Sequence, residues 1–311
     1  MTHLICADIG SQSLSDKDTV LDVHTWEEGS SGMHAPGVWA PMAAPLGTAD
    51  VFDVATCQFA LHYMFQTQAK ANHFFSEMSR HVKVGGLFVA TTIDARVIAD
   101  LVAQKESEPI DSASMYAEHV SQSGGPKREL IVRNELNDML LRISFAREHW
   151  DRLKCNPQEF AAGKALVEAA SSNNKNKHEN SAAALKAEKD AYERTFGIQY
   201  NFALLDQSDA TAVDAPEWLV PVGKPLEALA NYHGFRVRLT DNFHQFLMQG
   251  INTQPAGAGA ARAASQLKMS ELSKDLKDHG VYNYKKSITP AEWELSRLYC
   301  VLVFEKVTDK I

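Results

Sequence analysis

A histidine and a tyrosine that could hold a ligand follow an apolar run in this sequence. Residues 51–58 are continuously apolar, as is typical of a buried parallel strand, and His62 and Tyr63 come shortly after them. Ligands of α/β proteins bind beyond the carboxyl ends of parallel strands, so we expect these two side chains at a binding site. The alternatives are a core histidine and a packed aromatic ring.

A strand–helix–strand unit would position these residues. Residues 68–82 carry apolar side chains on one helical face, and residues 87–92 form an apolar run after a Gly-Gly pair. Such a unit predicts a parallel sheet with a right-handed crossover. The pattern also predicts strands at 3–8, 197–202, 235–239 and 298–305, one or two antiparallel strands within 130–145, and an amphipathic helix at 219–232.

Four polar segments interrupt this pattern in what we interpret as a single domain spanning residues 1–311. Residues 10–47 are rich in Gly, Ser, Pro and Asp, and residues 112–125 are weakly patterned, so neither predicts a core element. Residues 150–195 predict a low-complexity surface insertion, and residues 251–267 a flexible one.

The composition limits the classes of function. No apolar run in the 311 residues is long enough to span a bilayer, which argues against a membrane partner. The four cysteines form no CxxC pair and the histidines show no ligand spacing, so we expect free cysteines and no metal. A net charge of −8 argues against binding of a long nucleic acid through many phosphate contacts. Any RNA would therefore be bound through a small local feature.

Four segments, in order, resemble the mRNA cap guanine-N7 methyltransferases. They are FDVATCQFALHYMF at 52–65, GGLFVATT at 85–92, APEWLV at 215–220 and LYCVLVFEK at 298–306. Each motif alone is weakly specific, but four in register are specific to the family. The two insertions carry no resemblance.

The resemblance implies an α/β fold of the class I S-adenosylmethionine-dependent methyltransferase type, with a Rossmann-like sheet. The last strand should lie antiparallel near the edge of the sheet. In the family, a strand and a glycine-rich cofactor loop precede the segment matched by residues 7–9, and the chain starts at that second strand. An acidic residue near the adenine has no match in residues 29–50. We therefore expect an N-terminally incomplete sheet, from either an incomplete sequence or a degenerate copy.

The implied chemistry needs positioning and no catalytic side chain. Guanine N7 carries no proton, so no general base is required, and the enzyme must align the reactants and stabilise a cationic product. By resemblance, Glu217 accepts hydrogen bonds from guanine N1–H and N2–H, which adenine lacks. His62 and Tyr299 would contact the cap, and Tyr63 would lie between cap and cofactor. The alternatives are a helix N-terminal glutamate after Pro216 and a core tyrosine.

The implied cofactor is S-adenosyl-L-methionine, with Asp8, Gln58 and Tyr63 as candidate binding residues. Asp8 ends its strand where this class holds the ribose hydroxyls, and Gln58 resembles the residue beside the methionine end. The alternatives are a turn-forming aspartate before Gly10 and a structural amide.

The resemblance thus implies methyl transfer from S-adenosylmethionine to N7 of the guanine in GpppN-capped mRNA. The alternative is an inactive cap-binding or scaffold remnant that binds no cofactor. A methyltransferase for small molecules or proteins would have no reason to carry Glu217 and Tyr299 in these contexts. Expected partners are the 5′ cap and, by resemblance, other capping enzymes or an activating subunit. The expected location is the nucleus.

Overall fold

The computed structural model describes most of the chain outside several polar segments. The described residues are 2–6, 9–15, 22–27, 38–41, 46–47, 51–107, 116–121, 127–134, 136–155, 190, 192–205, 211–246 and 289–309.

The described residues form twelve strands and five helices, together with a 3-10 turn at Leu61–Phe65. The strands are β1 Thr2–Cys6, β2 Asp22–Glu27, β3 Val38–Pro41, β4 Phe52–Gln58, β5 Val82–Ile93, β6 Tyr116–Ser121, β7 Lys127–Arg133, β8 Met139–Ala146, β9 Gln199–Leu205, β10 Thr211–Trp218, β11 Phe235–Asn242 and β12 Tyr299–Lys306. The helices are α1 Gln68–His81, α2 Ala95–Ser107, α3 Arg147–Cys155, α4 Lys224–Tyr232 and α5 Pro290–Arg297.

The predicted strand–helix–strand unit belongs to a four-stranded sheet whose order is β11-β12-β5-β4. β4 and β5 pair in parallel across α1, as predicted, and place Gln58 beside Thr91. β12 lies antiparallel between β5 and β11, so the predicted antiparallel insertion of the last strand near the sheet edge is confirmed. The sheet is therefore mixed, with one parallel and two antiparallel pairs of strands. This arrangement is the one expected of the class I methyltransferase type.

The prediction that β4 is buried was wrong. Five of its seven residues are exposed, the first three of them consecutively, and Val54 is 54% exposed. β4 is the edge strand of its sheet, and in the described part of the chain no strand pairs with its outer side. A continuous apolar run predicts a strand, but the exposure of that strand depends on whether other segments pair with it or pack against it.

The N-terminal strand also departs from expectation. β1 does not lie in the sheet with β4 but forms a separate antiparallel sheet with β2 and β3. A strand belongs to a sheet only when it is hydrogen-bonded to another strand of that sheet. In the described part of the chain, no strand connects β1 to β4 in this way. β2 and β3 themselves fall inside the segment 10–47, for which no core element was predicted.

A five-stranded antiparallel sheet in the order β10-β9-β8-β7-β6 completes the described strands. Where one or two antiparallel strands were predicted within 130–145, the structure has two, β7 and β8, and the strand predicted at 197–202 is β9. β6 lies in the weakly patterned segment 112–125, where none was predicted. The helix expected at 219–232 begins later, at Lys224, because Gly223 with φ 120° precedes it and Pro225 lies in its first turn.

Two apolar cores hold the sheets and helices together. One lies between the four-stranded sheet, α1 and α4 and is dominated by phenylalanines, with Phe75, Phe88 and Phe304 fully buried. The other packs α2 and α3 against the five-stranded sheet around Trp150 and Tyr200.

The second core enters the predicted insertion at 150–195. Trp150 and Leu153 of α3 are buried in it, so the start of that segment is a core helix. Residues 156–189, which are most of the first predicted insertion, and residues 251–267, which are all of the second, lie outside the described residues. At the end of the first insertion, Thr195 is buried.

Candidate functional site

A cavity of about 460 Å³ opens where the two larger sheets meet, beyond the carboxyl ends of β4 and β5. All four residues predicted to bind the cap line it. Its lining residues are Phe59, His62, Tyr63, Thr92, Ile93, Phe202, Leu204, Glu217, Phe243, Leu295, Ser296 and Tyr299. The structure thus brings together residues that are up to 240 positions apart, since Phe59 and Tyr299 both line the cavity.

Glu217 supplies the carboxylate of this cavity, and its neighbour across the sheet fixes it. It lies in β10, directly opposite Tyr200 of β9, and not at a helix N-terminus as the alternative held. The Tyr200 hydroxyl donates a hydrogen bond of 2.6 Å to Glu217 Oε2. Burial raises the pKa of the Glu217 carboxyl, and the Tyr200 hydrogen bond opposes that rise.

His62 approaches the same carboxylate from the 3-10 turn. Its Nε2 lies 3.4 Å from Glu217 Oε1, but without the alignment of a hydrogen bond, and it is buried with no partner among the described residues. Burial lowers the pKa of His62 to about 4, so the imidazole is neutral at neutral pH. A neutral imidazole beside a buried carboxylate leaves the negative charge available to a ligand.

Aromatic rings form most of the remaining wall. The Phe59 and Tyr299 rings meet edge to face at 5.3 Å, and Phe243 lies 5.8 Å from Tyr299. The Tyr63 ring lies 4.2 Å from the ring of His62 and is 40% exposed. Burial, and next the Glu217 charge, raise the pKa values of Tyr63 and Tyr299, so both hydroxyls stay protonated. A flat ring with donors on its edge would fit between such walls.

Phe59 takes a backbone conformation that bulky residues rarely adopt. Its φ is +50°, and its amide donates to both the carbonyl and the hydroxyl oxygen of Thr91, at 3.1 and 3.0 Å. Such strain persists only where surrounding bonds enforce it, and it clusters at functional sites. Here it turns the chain out of β4 and aims the Phe59 ring into the cavity.

Of the three residues predicted to hold the cofactor, the structure describes two, and one of these lines the cavity. Tyr63 lines the cavity, whereas Gln58 does not. The Gln58 Oε1 accepts a hydrogen bond of 3.0 Å from the Thr91 hydroxyl, and its Nε2 lies 3.5 Å from the Val89 carbonyl. These contacts match the structural alternative for Gln58. Asp8 lies outside the described residues.

Several cavity residues were not singled out from the sequence. Phe202 and Leu204 line the cavity and share one face of β9 with Tyr200, because the three residues alternate along the strand, so the sequence pattern could have indicated them. The helix that carries Leu295 and Ser296 has a capping box at Thr289 and Glu292, a signal that would have located it. Phe243 follows β11 and carries no comparable signal.

The described residues contain no group of three or more side chains with the arrangement of a metal site. Within the same residues, no helix is long and apolar enough to cross a membrane.

The strand order of the four-stranded sheet is consistent with an α/β methyltransferase-type fold. The pocket beside this sheet has aromatic walls and one carboxylate, that of Glu217. The model of the mRNA (guanine-N(7))-methyltransferase domain matches residues 1–123 and 158–307. The chain belongs to this family, as the four motifs predicted. The unmatched interval contains β7, β8 and all of α3, which the structure nevertheless packs into the core.

Individual relatives agree with the family match. The chain is 25% identical over 255 residues to mRNA cap guanine-N(7) methyltransferase 1 of Oryza sativa subsp. japonica, which covers 82% of this chain and 47% of that protein. It is 23% identical over 255 residues to the protein of the same name in Arabidopsis thaliana, with the same coverage. The Candida glabrata mRNA cap guanine-N(7) methyltransferase is 25% identical over 259 residues, 83% of this chain and 44% of that protein.

The chain therefore spans about half the length of these relatives. Among solved structures, an S-adenosylmethionine-dependent methyltransferase from Clostridium acetobutylicum ATCC 824 aligns with a TM-score of 0.30 and 7% identity, over 84% of this chain and 60% of that one. The likeness is too low to bear on the site, and the family assignment rests on the sequence match.

The cavity fits the reactive end of the cofactor that the family implies. S-adenosylmethionine carries a sulfonium cation, and the faces of aromatic rings attract cations. The cavity offers the rings of Phe59, Tyr63 and Tyr299. Tyr63 is the predicted cofactor residue that the structure places there.

Proposed function

We propose that this chain transfers a methyl group from S-adenosylmethionine to N7 of the guanine in the 5′ cap of mRNA. The observation that carries the proposal is Glu217, a buried carboxylate fixed by Tyr200 in a cavity walled by aromatic rings. Guanine offers two adjacent N–H donors, at N1 and N2, that a carboxylate can accept together, whereas adenine offers no such pair.

The chain's own residues would act by placing the base. Glu217 would hold the N1–H and N2–H edge, which turns the opposite edge with N7 away from the carboxylate. The rings of Tyr63 and Tyr299 would confine the plane of the base and exclude water. S-adenosylmethionine, when bound, supplies an electrophilic methyl group.

The same carboxylate would stabilise the product. Guanine N7 has a free lone pair and no proton to remove, so the base becomes cationic when N7 gains a methyl group. A fixed negative charge at Glu217 is then favourable, and more so in a water-poor cavity than in bulk water. This accounts for a buried carboxylate that no Lys or Arg of the cavity lining neutralises.

The test is transfer of labelled methyl from S-adenosylmethionine to GpppG-capped RNA, with ApppG-capped RNA beside it. We expect transfer to the G cap alone, with the label recovered as 7-methylguanosine after nuclease digestion. Glu217→Gln keeps the side-chain volume and should lower kcat/KM by at least about 100-fold, because two hydrogen bonds to a charged group are lost or weakened. The matched control is Glu227→Gln, at an exposed position on α4.

Equal transfer to both caps, label at another atom, or an unchanged Glu217→Gln variant would contradict the proposal. Absence of transfer by the unsubstituted chain would favour the inactive cap-binding alternative for the chain as it stands. A nuclear location, and partnership with other capping enzymes or an activating subunit, stay predictions from the family resemblance.

A further inference from the structure

We propose that His244 and Trp293, here called the rim pair, form a stacking platform for the base of the first transcribed nucleotide. This inference rests on the proposed function, since it extends the same cavity toward the RNA that a cap carries. The two rings are stacked, with centroids 3.8 Å apart and an interplanar angle of 15°.

The rim pair is continuous with the cavity on both of its elements. His244 directly follows Phe243, which lines the cavity, and Trp293 precedes the lining residues Leu295 and Ser296 on α5. Residues three apart on a helix share a face, so Trp293 and Ser296 are neighbours roughly 4.5 Å apart along the axis. A ligand that leaves the cavity past Ser296 meets the rim pair first.

Hydrogen bonds hold the rim pair in place. His244 Nε2 lies 2.8 Å from the Trp293 carbonyl oxygen and 3.1 Å from the Ser296 hydroxyl. The Ser296 hydroxyl in turn donates to the Trp293 carbonyl at 2.6 Å. These bonds fix the His244 ring against α5, and the Trp293 indole is stacked on that fixed ring, so it loses little conformational freedom when a base stacks on its other face.

Trp293 nevertheless keeps exposed surface. It is 36% exposed although one face of its indole lies against His244. The exposed part therefore belongs to the opposite face and the edge of the ring, which is the surface that a nucleobase would use. Stacking on an aromatic ring accepts any base, which suits an enzyme that reads the cap and not the transcript sequence.

The chemistry of a cap places a base at this position. The capped guanosine is joined to the first transcribed nucleotide through a triphosphate, so that second base must lie outside a cavity filled by the guanine. Among the described residues, the cavity lining contains no Lys or Arg. Stacking at the rim would thus supply affinity that a chain of net charge −8 does not draw from many phosphate contacts.

The experiment measures binding, so it does not depend on methyl transfer. A short RNA with a 3′ fluorophore is prepared with a GpppA cap and, separately, with a cap followed by an abasic first nucleotide. Equilibrium dissociation constants are measured by fluorescence anisotropy for the full chain, Trp293→Ala, Trp293→Phe and Tyr232→Ala. Tyr232 is 74% exposed on α4 and does not line the cavity, so it controls for loss of any exposed aromatic ring.

Trp293→Ala should weaken binding of the GpppA-capped RNA by roughly 5- to 100-fold, the range seen when a stacked base loses its aromatic partner. It should leave binding of the abasic RNA unchanged, and Trp293→Phe should retain most of the affinity for the first RNA. The Tyr232→Ala variant should bind both RNAs as the unsubstituted chain does.

Three results would overturn the platform. The first is an equal loss of affinity for both RNAs in Trp293→Ala, which would report a structural defect. The second is an unchanged affinity of Trp293→Ala for the GpppA-capped RNA. The third is no binding of either RNA by the unsubstituted chain. Binding that depends on Trp293 and on the adenine, without methyl transfer, would support the platform while contradicting the proposed activity. The two proposals therefore fail separately.

Discussion

At the scale of single residues, the cavity depends on how Tyr200 controls Glu217. The two residues face each other across β9 and β10, and the 2.6 Å hydrogen bond holds one carboxylate oxygen in place. Burial raises the pKa of the Glu217 carboxyl and the hydrogen bond opposes this, so Tyr200 helps to keep Glu217 ionised. Tyr200 is a positioning residue in this account.

Replacing Tyr200 by phenylalanine should therefore change both the rate and its pH dependence. We expect Tyr200→Phe to lower kcat/KM for GpppG-capped RNA roughly ten- to hundred-fold, as is typical for a lost hydrogen bond to a charged group. The pKa of Glu217 should rise further, so activity should be lost at a higher pH as the solution is acidified. The measurement is kcat/KM across pH.

The control is Tyr192→Phe, a partly buried tyrosine outside the cavity lining. An acidic limb that stays in place in Tyr200→Phe would show that the hydrogen bond does not set the ionisation of Glu217.

At the scale of elements, the four-stranded sheet depends on a tight connection between α4 and β11. Gly234 has a φ of +81°, and its carbonyl accepts a hydrogen bond of 2.9 Å from the Val307 amide beyond β12. A Cβ placed on Gly234 would lie 2.3 Å from the Thr308 carbonyl oxygen. No side chain fits there without moving the backbone after β12.

Gly234→Ala should accordingly lower the free energy of unfolding by roughly 2–4 kcal/mol, from backbone strain and the clash together. Gly85→Ala is the matched control, since its φ is +83° but nothing lies within 4 Å of the added carbon. It should cost only the strain of a left-handed alanine, roughly 1–2 kcal/mol. Urea unfolding of both variants measures the difference, and equal losses would mean that the backbone absorbs the clash.

At the scale of the whole molecule, charge sets how RNA can be held. The chain has 31 Lys and Arg against 39 Asp and Glu, for a net charge of −8. Proteins that release many counterions from phosphates are normally basic. In the proposed function, a cavity with aromatic walls and one carboxylate binds the base of the cap instead.

We therefore expect a weak salt dependence of binding to capped RNA. Affinity should fall by less than about ten-fold between 50 and 200 mM salt, against the 10³- to 10⁵-fold typical of six to ten phosphate contacts. Anisotropy titrations in increasing KCl measure this, with uncapped RNA of the same sequence as control. A steep slope would show that basic side chains outside the cavity dominate binding.

The strand–helix–strand unit at β4, α1 and β5, the antiparallel last strand and the family could all be predicted from the residues alone. The sequence also supplied His62, Tyr63, Glu217 and Tyr299 as candidates. These features could be predicted because apolar periodicity and short motifs depend on residues that are near each other along the chain.

Which of these candidates contact one another could not be predicted from the sequence, because it depends on how distant segments pack. The contact of Tyr200 with Glu217 depends on the register of two strands, and that of His62 with Glu217 on how two sheets approach. The placement of β1 outside the sheet of β4, and the exposure of β4, likewise depend on which strands are available to pair. Register and sheet packing arise from contacts between distant segments, and a local pattern contains no information about them.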